Sequence, residues 1–307
     1  MSGVLGLNRR NAEYTLAYNQ RRLYPFVDDK LRTKKLAESA GIAAPELYGV
    51  VEIECQIREL PELLDKYTDF VIKPAHGSGG NGILIISGHS ARAYRQVNGL
   101  LMNRTELNYH VSSILSGMYS LGGHPDKAMI EYRVQFDPLF EAVTYQGVPD
   151  IRIIVFLGVP VMSMVRLPTR MSEGRANLHQ GAIGAGVDMA TGETLTAVWG
   201  NDIVIEHPDT GNKIMGLQIP GWKDLLKLAS RCYELTGLGY QGVDIVLDRY
   251  KGPLILEMNA RPGLNIQIAN KDGLLKRLKL VEQSHESLKS VDERVAFAQK
   301  YFGTAKM

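Results

Sequence analysis

The sequence has little cysteine, no net charge to speak of and no long apolar run. Cys55 and Cys232 are the only two cysteines in 307 residues, and they match no metal-ligand spacing. That excludes a disulfide framework and a cysteine metal site, and reads as two reduced thiols in a reducing compartment. Lys+Arg 35 against Asp+Glu 33 leaves a formal charge of +2. Non-specific nucleic-acid binding needs concentrated positive charge, so no nucleic-acid partner is expected. The longest apolar stretch, around 153–165, is broken by Gly158, Pro160 and Ser163 and is too short to span a bilayer. The N-terminus, residues 1–8, has no long apolar run before a cleavage-like site, as a secretory signal would require. The chain therefore reads as cytoplasmic, with docking onto a membrane-associated partner and self-association left open. No internal repeat or low-complexity tract is present. What remains is the composition of an ordinary globular protein, with hydrophobic residues at 45% and charged residues at 22%. The one excess is glycine, 31 residues, about a tenth of the chain where about 7% is usual.

The pattern along the chain mixes hairpins with helices. Residues 1–27 are basic and tyrosine-rich. Asp28 is placed to cap a helix running to about Ala40, stopped by Gly41 and Pro45. Strands are expected at 47–53, 69–74 and 83–87, the last two joined as a hairpin with a glycine-rich tip. Residues 90–120 read as helical and 128–134 as a strand. Residues 151–157 and 161–167 read as a hairpin, and 168–192 as a long functional loop. A helix at 222–235, strands at 242–248 and 254–259, and a charged helical tail from about Gly273 complete the order. This is not a strict βαβα alternation, so an α+β architecture is expected.

Four groups of residues are candidates for chemistry. Lys73 ends a strand, and Gly77-Ser78-Gly79-Gly80-Asn81-Gly82 follows. Closely spaced glycines let backbone N–H groups approach an anion, and a neighbouring lysine adds charge. No Gly-Lys-Ser/Thr follows, so this is not a Walker loop, and a strand follows where a dinucleotide fingerprint needs a helix. A flexible hairpin tip with a surface lysine is the competing reading. Next, a hairpin turning between Tyr250 and Lys251 places Asp244 opposite Glu257, with Asn259 on the same face. Val243, Ile245, Leu256 and Met258 then face the core. Hard oxygen donors on one face suit Mg²⁺, while a solvated edge hairpin is the alternative. Third, Asp150 and Arg152 share a strand face, and Arg166, Arg170, Arg175, Asn177 and His179 follow around a glycine-rich loop. Arginines in such a set clamp phosphate or carboxylate, or form surface salt bridges. Glu131-Tyr132 lies on a strand that could offer backbone groups to a base, though a plain edge strand is the simpler reading.

These segments, in this order, resemble the ATP-grasp superfamily, and within it the α-L-glutamate ligases of the ribosomal-protein-modification type. The resemblance spans about residues 28–265. It rests on Asp29-Lys30-Leu31-Arg32, Val71-Ile72-Lys73-Pro74 with the glycine loop, and Asp150-Ile151-Arg152. It continues in Arg175-Ala176-Asn177-Leu178-His179, Gly242-Val243-Asp244 and Glu257-Met258-Asn259-Ala260-Arg261-Pro262-Gly263. It implies an ATP-grasp fold with two α+β subdomains, at 28–134 and 135–272, behind a shortened segment 1–27 and ahead of a tail at 273–307. It implies that Lys30, Lys73 and the loop 77–82 hold ATP phosphates, and that Glu131 and Tyr132 contact adenine. Asp150 is assigned to the nucleotide side, with Asp137 and Glu141 as other candidates for the ribose. Arg152, Arg175 and Asn177 are assigned to the reacting phosphate, and Asp244, Glu257 and Asn259 to Mg²⁺, for which Mn²⁺ is a substitute.

The implied reaction joins a carboxylate to an amine through an acyl phosphate, the acceptor being an amino acid, peptide or protein. Two other functions are carried alongside it: a phosphoryl or sugar-associated transfer at the same site, and a non-catalytic ATP-binding regulatory module. The chain departs from the pattern at three places. Only 27 residues precede Asp28, 48 residues separate Gly82 from Glu131, and Arg261 stands where a small residue is usual.

Overall fold

In the computed structural model, which describes residues 3–77, 79–90, 93–120 and 122–303, the chain divides into two compact units. The smaller holds Asp29–Leu31 and Ala44–Val134; the larger holds Met1–Asp28, Arg32–Ala43 and Gln135–Met307.

The smaller unit is built on one sheet of β1 (Leu47–Val51), β2 (Phe70–Pro74), β3 (Leu84–His89), β4 (Tyr94–Gln96), β5 (Leu101–Met102) and β6 (Ala128–Glu131). Its order is β1-β6-β2-β3-β4-β5. The β2–β3 hairpin carries the glycine loop at its tip, with Ile72 paired to Leu84. β6 is not an edge strand, because β1 and β2 pair with it on either side. The stretch 90–120 is only partly helical. Tyr94–Gln96 and Leu101–Met102 form a short hairpin through an Asn98-Gly99 turn, with Gly99 at φ +85°. The helix starts at Arg104, where a reciprocal cap exists: Glu106 N–H donates to Asn103 Oδ1, and Asn103 N–H donates to Glu106 Oε2. It buries Leu107, Val111, Ile114 and Leu115, one face at helical spacing, against Phe70, Ile72, Ile86 and Ile130.

The larger unit is built on β7 (Asp150–Phe156), β8 (Val159–Leu167), β9 (Ile183–Val187), β10 (Thr194–Trp199), β11 (Asp202–Val204), β12 (Tyr240–Asp248) and β13 (Gly252–Asn259). Its order is β11-β10-β9-β8-β7-β12-β13, antiparallel throughout. Leu157 (φ +47°) and Gly158 (φ +79°) make the β7–β8 turn, one residue earlier than expected. Pro160 then sits in β8 beside a bulge, where its missing N–H is tolerated. The helices Trp222–Thr236, Leu274–Ser284 and Val291–Phe302 bury Leu225, Leu226, Ala229, Leu278, Val281, Val295 and Phe302 in the same core. The N-terminal residues Leu5 and Tyr14 belong to that core as well.

The long loop at 168–192 also needs correction, since its second half is β9. The glycines there serve packing: a Cβ on Gly186 would lie 2.5 Å from the Ala269 carbonyl oxygen, and one on Gly184 2.8 Å from Leu178. The first half is held by hydrogen bonds, with Thr169 Oγ1 and Trp199 Nε1 both donating to Gly181 O at 2.8 Å.

Candidate functional site

In the smaller unit, Lys73 and Glu131 face each other from the neighbouring strands β2 and β6. They form an ion pair, and both are nearly buried, at 6% and 3% exposure. Such a pair is stable only while both members are present. Lys30 N–H donates to Ala75 O, and its ammonium donates to Gly77 O at the root of the glycine loop. His76 stands beside it, fixed by Asp126: the backbone N–H donates to the carboxylate, and Nδ1 lies 2.7 Å from Oδ1. Asp29, not Asp28, supplies the cap of the following helix, accepting from Leu31 N–H at 2.9 Å.

The glycine loop needs its glycines. Gly79, Gly80 and Gly82 have φ of +65°, +81° and +74°. A Cβ on Gly77 would fall 2.2 Å from the Pro74 ring, and one on Gly82 2.6 Å from Tyr119. Asn81 is exposed, and Ser78 lies outside the described residues. Tyr132 continues from β6, its N–H donating to Glu46 O at 2.8 Å.

In the larger unit, the pairing of β12 with β13 sets Asp244 opposite Glu257 and Gly242 opposite Asn259. A bulge follows Glu257, so Leu256 leaves the core face and Ile255 takes its place. The turn is capped by Asp248, whose Oδ1 accepts from Tyr250 and Lys251 N–H. The register of β7 with β12 sets Asp244 opposite Arg152, and that of β7 with β8 sets Asp150 opposite Arg166. The result is a buried charge network. Arg152 donates through Nε and Nη2 to Asp244 at 2.7 and 2.6 Å. Arg166 donates to both oxygens of Asp150 at 2.5 Å, and through Nη2 to Asp244 Oδ2 at 2.8 Å. Asp244 is 1% exposed and Asp150 3%.

Burial alone would push the Asp244 carboxyl up, but Arg152 and Arg166 outweigh it and hold it below the usual range. Burial pushes Asp150 up to about 6 against the pull of Arg166, and the charge of Asp244 adds to the rise. Arg166 is held firmly protonated: its burial is outweighed by Asp150 and Asp244, with Glu257 adding to them. Asp150, expected on the nucleotide side, is paired in the structure with Arg166. Neither alternative is open for the ribose without cost: Asp137 caps the turn 138–143, and Glu141 pairs with Arg249.

Arg175 and Asn177 are not drawn into this network. Arg175 lies 3.5 Å from Glu173, and Asn177 Oδ1 accepts from His179 N–H to cap the turn 178–180.

Among the described residues no three His, Cys, Asp or Glu side chains gather as a metal cluster. The oxygen set that does exist is two carboxylates and an amide on one hairpin face. Among the described residues the buried Nδ2 of Asn259 has no hydrogen-bond partner. Glu257 and Asn259 carry oxygen donors of the kind a hard cation takes, with phosphate oxygens and water as its remaining ligands, while both Asp244 oxygens already accept from Arg152 and Arg166.

Sequence reasoning missed two residues that hold this hairpin. Asn19 Nδ2 donates to Tyr240 O at 2.6 Å and to Ala260 O at 3.0 Å, and its Oδ1 accepts from Tyr240 N–H at 2.9 Å. Arg10 Nη1 donates to Pro262 O at 2.6 Å. Their partners lie over 220 positions away, and nothing local in the sequence marks them.

Residues 9–283 match the model of the family described as sugar-transfer associated ATP-grasp. The chain belongs to this family and has the ATP-grasp fold. No curated protein matches it. Solved structures similar to it include the ATP-grasp ligase PsnB complexed with minimal precursor, at 13% identity and TM-score 0.45, covering 87% of this chain and 62% of that one. Another is D-alanine–D-alanine ligase from Bacillus anthracis complexed with ATP, at 14% identity and TM-score 0.48, covering 86% of this chain and 68% of that one. VanG D-Ala:D-Ser ligase from Enterococcus faecalis is similar at 13% identity and TM-score 0.48, covering 84% of this chain and 61% of that one. The chain thus spans about six-tenths of the length of PsnB. No helix among the described residues is long and apolar enough to cross a membrane.

Proposed function

We propose that this protein is an ATP- and Mg²⁺-dependent carboxylate–amine ligase, akin to the α-L-glutamate ligases that add an amino acid to a peptide or protein. The observation that carries this reading is the Asp244–Glu257–Asn259 face, with its orphaned amide, set against two fixed arginines. A carboxylate oxygen attacks the γ-phosphorus of ATP, the bond to the β-phosphate oxygen breaks, and ADP leaves an acyl phosphate. An amine then attacks the acyl carbon, inorganic phosphate departs and the nitrogen gives up a proton.

In this reading Glu257, Asn259 and the shared Asp244 hold Mg²⁺, which offsets charge on the phosphates when bound. Lys73, Lys30 and the glycine loop hold phosphate oxygens; Glu131 and Tyr132 serve the adenine. Arg152 presents a fixed positive charge where charge develops on the transferred group, and Asp244 keeps its fork oriented. Arg175 and Asn177, on the hydrogen-bonded loop, complete that side.

A screen of amino acids and peptides for stimulated ADP release, with mass spectrometry of the product, tests the reaction. Glu257→Ala is expected to abolish turnover in a folded protein, and retained activity rejects the metal assignment. The family's association with sugar transfer favours a second reading, phosphoryl transfer to a sugar-linked acceptor. The two differ in the mass gained by the acceptor, an amino-acid residue or a phosphate.

A further inference from the structure

Arg10 carries its charge into a place where no acid meets it. It is 6% exposed, and its hydrogen bonds go to Pro262 O and, from Nε, to Asn11 Oδ1 at 2.8 Å. Among the described residues no carboxylate pairs with it. Both of its partners are neutral, and a buried guanidinium without a counter-charge is disfavoured. Burial lowers its pKa, Tyr240 opposes that in part, and the like charge of Arg261 adds to the lowering.

Arg261 follows Asn259 by two residues. Its guanidinium carbon lies 5.0 Å from the centre of the Tyr24 ring, and its nearest acid, Asp28, is 3.7 Å away in a loose, half-exposed pair. A third group points the same way. Tyr240 is fully buried, its hydroxyl has no hydrogen-bond partner among the described residues, and it lies close enough to Arg10 for that charge to act on it. The charges of Arg10 and Arg261 thus act on each other, and that of Arg10 acts on the buried Tyr240 hydroxyl, at the Asn259 end of the β12–β13 hairpin. Asn19 holds both strands there at fixed spacing. An oxyanion would supply the counter-charge and accept from the guanidinium N–H groups that remain and from the phenol.

We propose that Arg10, Arg261 and the Tyr240 hydroxyl form a subsite for an oxyanion, a carboxylate or a phosphate, carried by the acceptor substrate. Naming the acceptor rests on the ligase reading; the oxyanion subsite does not. The competing role for Arg10 is that of a brace for the loop and nothing more.

The test uses the full chain with saturating AMPPNP and Mg²⁺, so that positions for nucleotide phosphates are filled. Glutarate and inorganic phosphate are titrated separately by calorimetry. Binding of glutarate alone assigns a carboxylate, and binding of phosphate alone a phosphorylated acceptor. Removing one fork should weaken the bound anion by about tenfold or more in Arg261→Gln. Arg10→Lys should retain part of the binding and Arg10→Met lose it. If Arg10→Met does not fold, Arg261→Gln still decides, because its side chain is half-exposed. No binding of either anion, or binding by Arg261→Gln equal to wild type, overturns the proposal. Arg261-dependent binding without ADP release for any acceptor keeps the subsite and rejects the ligase reading. ADP release without Arg261-dependent binding does the reverse.

Discussion

The buried network in the larger unit makes a prediction whose sign is not obvious. Asp150 and Asp244 share Arg166, Arg152 pairs with Asp244, and Glu257 adds a third negative charge within reach of Arg166. Of the two buried aspartates, Asp150 is the one whose arginine does not outweigh its burial. Its pKa rises from 3.8 to about 6. A group whose folded pKa is raised contributes stability that is fully present below its unfolded value and lost as pH rises through the folded value. A rise of about two units corresponds to about 3 kcal/mol lost between about pH 4 and pH 7. Asp150→Asn copies the protonated form and should abolish that loss. At about pH 7.5 the variant should therefore be no less stable than wild type, although breaking a buried pair usually costs about 3–5 kcal/mol. Asp244→Asn should show that usual penalty, because it leaves two guanidinium groups with one fewer partner. Its folded pKa is depressed, so its contribution is present at neutral pH and is lost only as pH falls through that value. The assay is urea unfolding across that pH range, followed by Trp199 and Trp222, both in the larger unit. Two results refute the reasoning: a stability difference between wild type and Asp150→Asn that does not change with pH, or a loss of several kcal/mol in Asp150→Asn above neutrality.

Three further outcomes are expected. Lys73→Ala removes the buried ammonium that pairs with Glu131 and should cost about 3–5 kcal/mol, while the double change Lys73→Met, Glu131→Leu should recover most of it in chemical denaturation. Gly82→Ala places a methyl 2.6 Å from the Tyr119 ring at φ +74°, and should destabilise the smaller unit by about 1–3 kcal/mol, read as faster hydrogen exchange in β3 and the helix Arg104–Leu115. Gly186→Ala meets backbone, 2.5 Å from Ala269 O, and should cost more than Gly82→Ala, measured as the larger drop in Tm.

The β12–β13 hairpin is legible in the sequence because alternation fixes faces in a strand whatever surrounds it. Numbering alone places Asp244 opposite Glu257, and the register agrees. Only the bulge at Leu256 escapes, since a bulge leaves no mark in an apolar run. The hairpin at 94–102 is hidden for a different reason. The helical signal of Leu107, Val111 and Ile114 is strong, and it extends backwards past Asn98-Gly99 unless that turn pair is allowed to stop it. Strand β6 reads as an edge because strand order depends on which distant segment pairs, and β1 is some 80 positions earlier in the chain.

The chemistry divides along the same line. Residue types that hold phosphate or metal can be recognised singly, as with Lys73, Asp244, Glu257 and Asn259. What each acid or cation is paired with cannot, because pairing is set by the register of three strands, β8, β7 and β12. Asp150 shows the consequence. By residue type it is a plausible ligand contact, but by register it stands opposite Arg166 and is spent there. Arg10 is the opposite case. Nothing in an N-terminal arginine marks it as functional, and only burial without an acid, beside a second arginine and an unpartnered phenol, gives it chemical meaning. A site is therefore best read from charges the fold leaves unbalanced. Those the fold has already balanced, such as Asp244 with Arg152 and Arg166, set the shape of the site, and a ligand completes the rest.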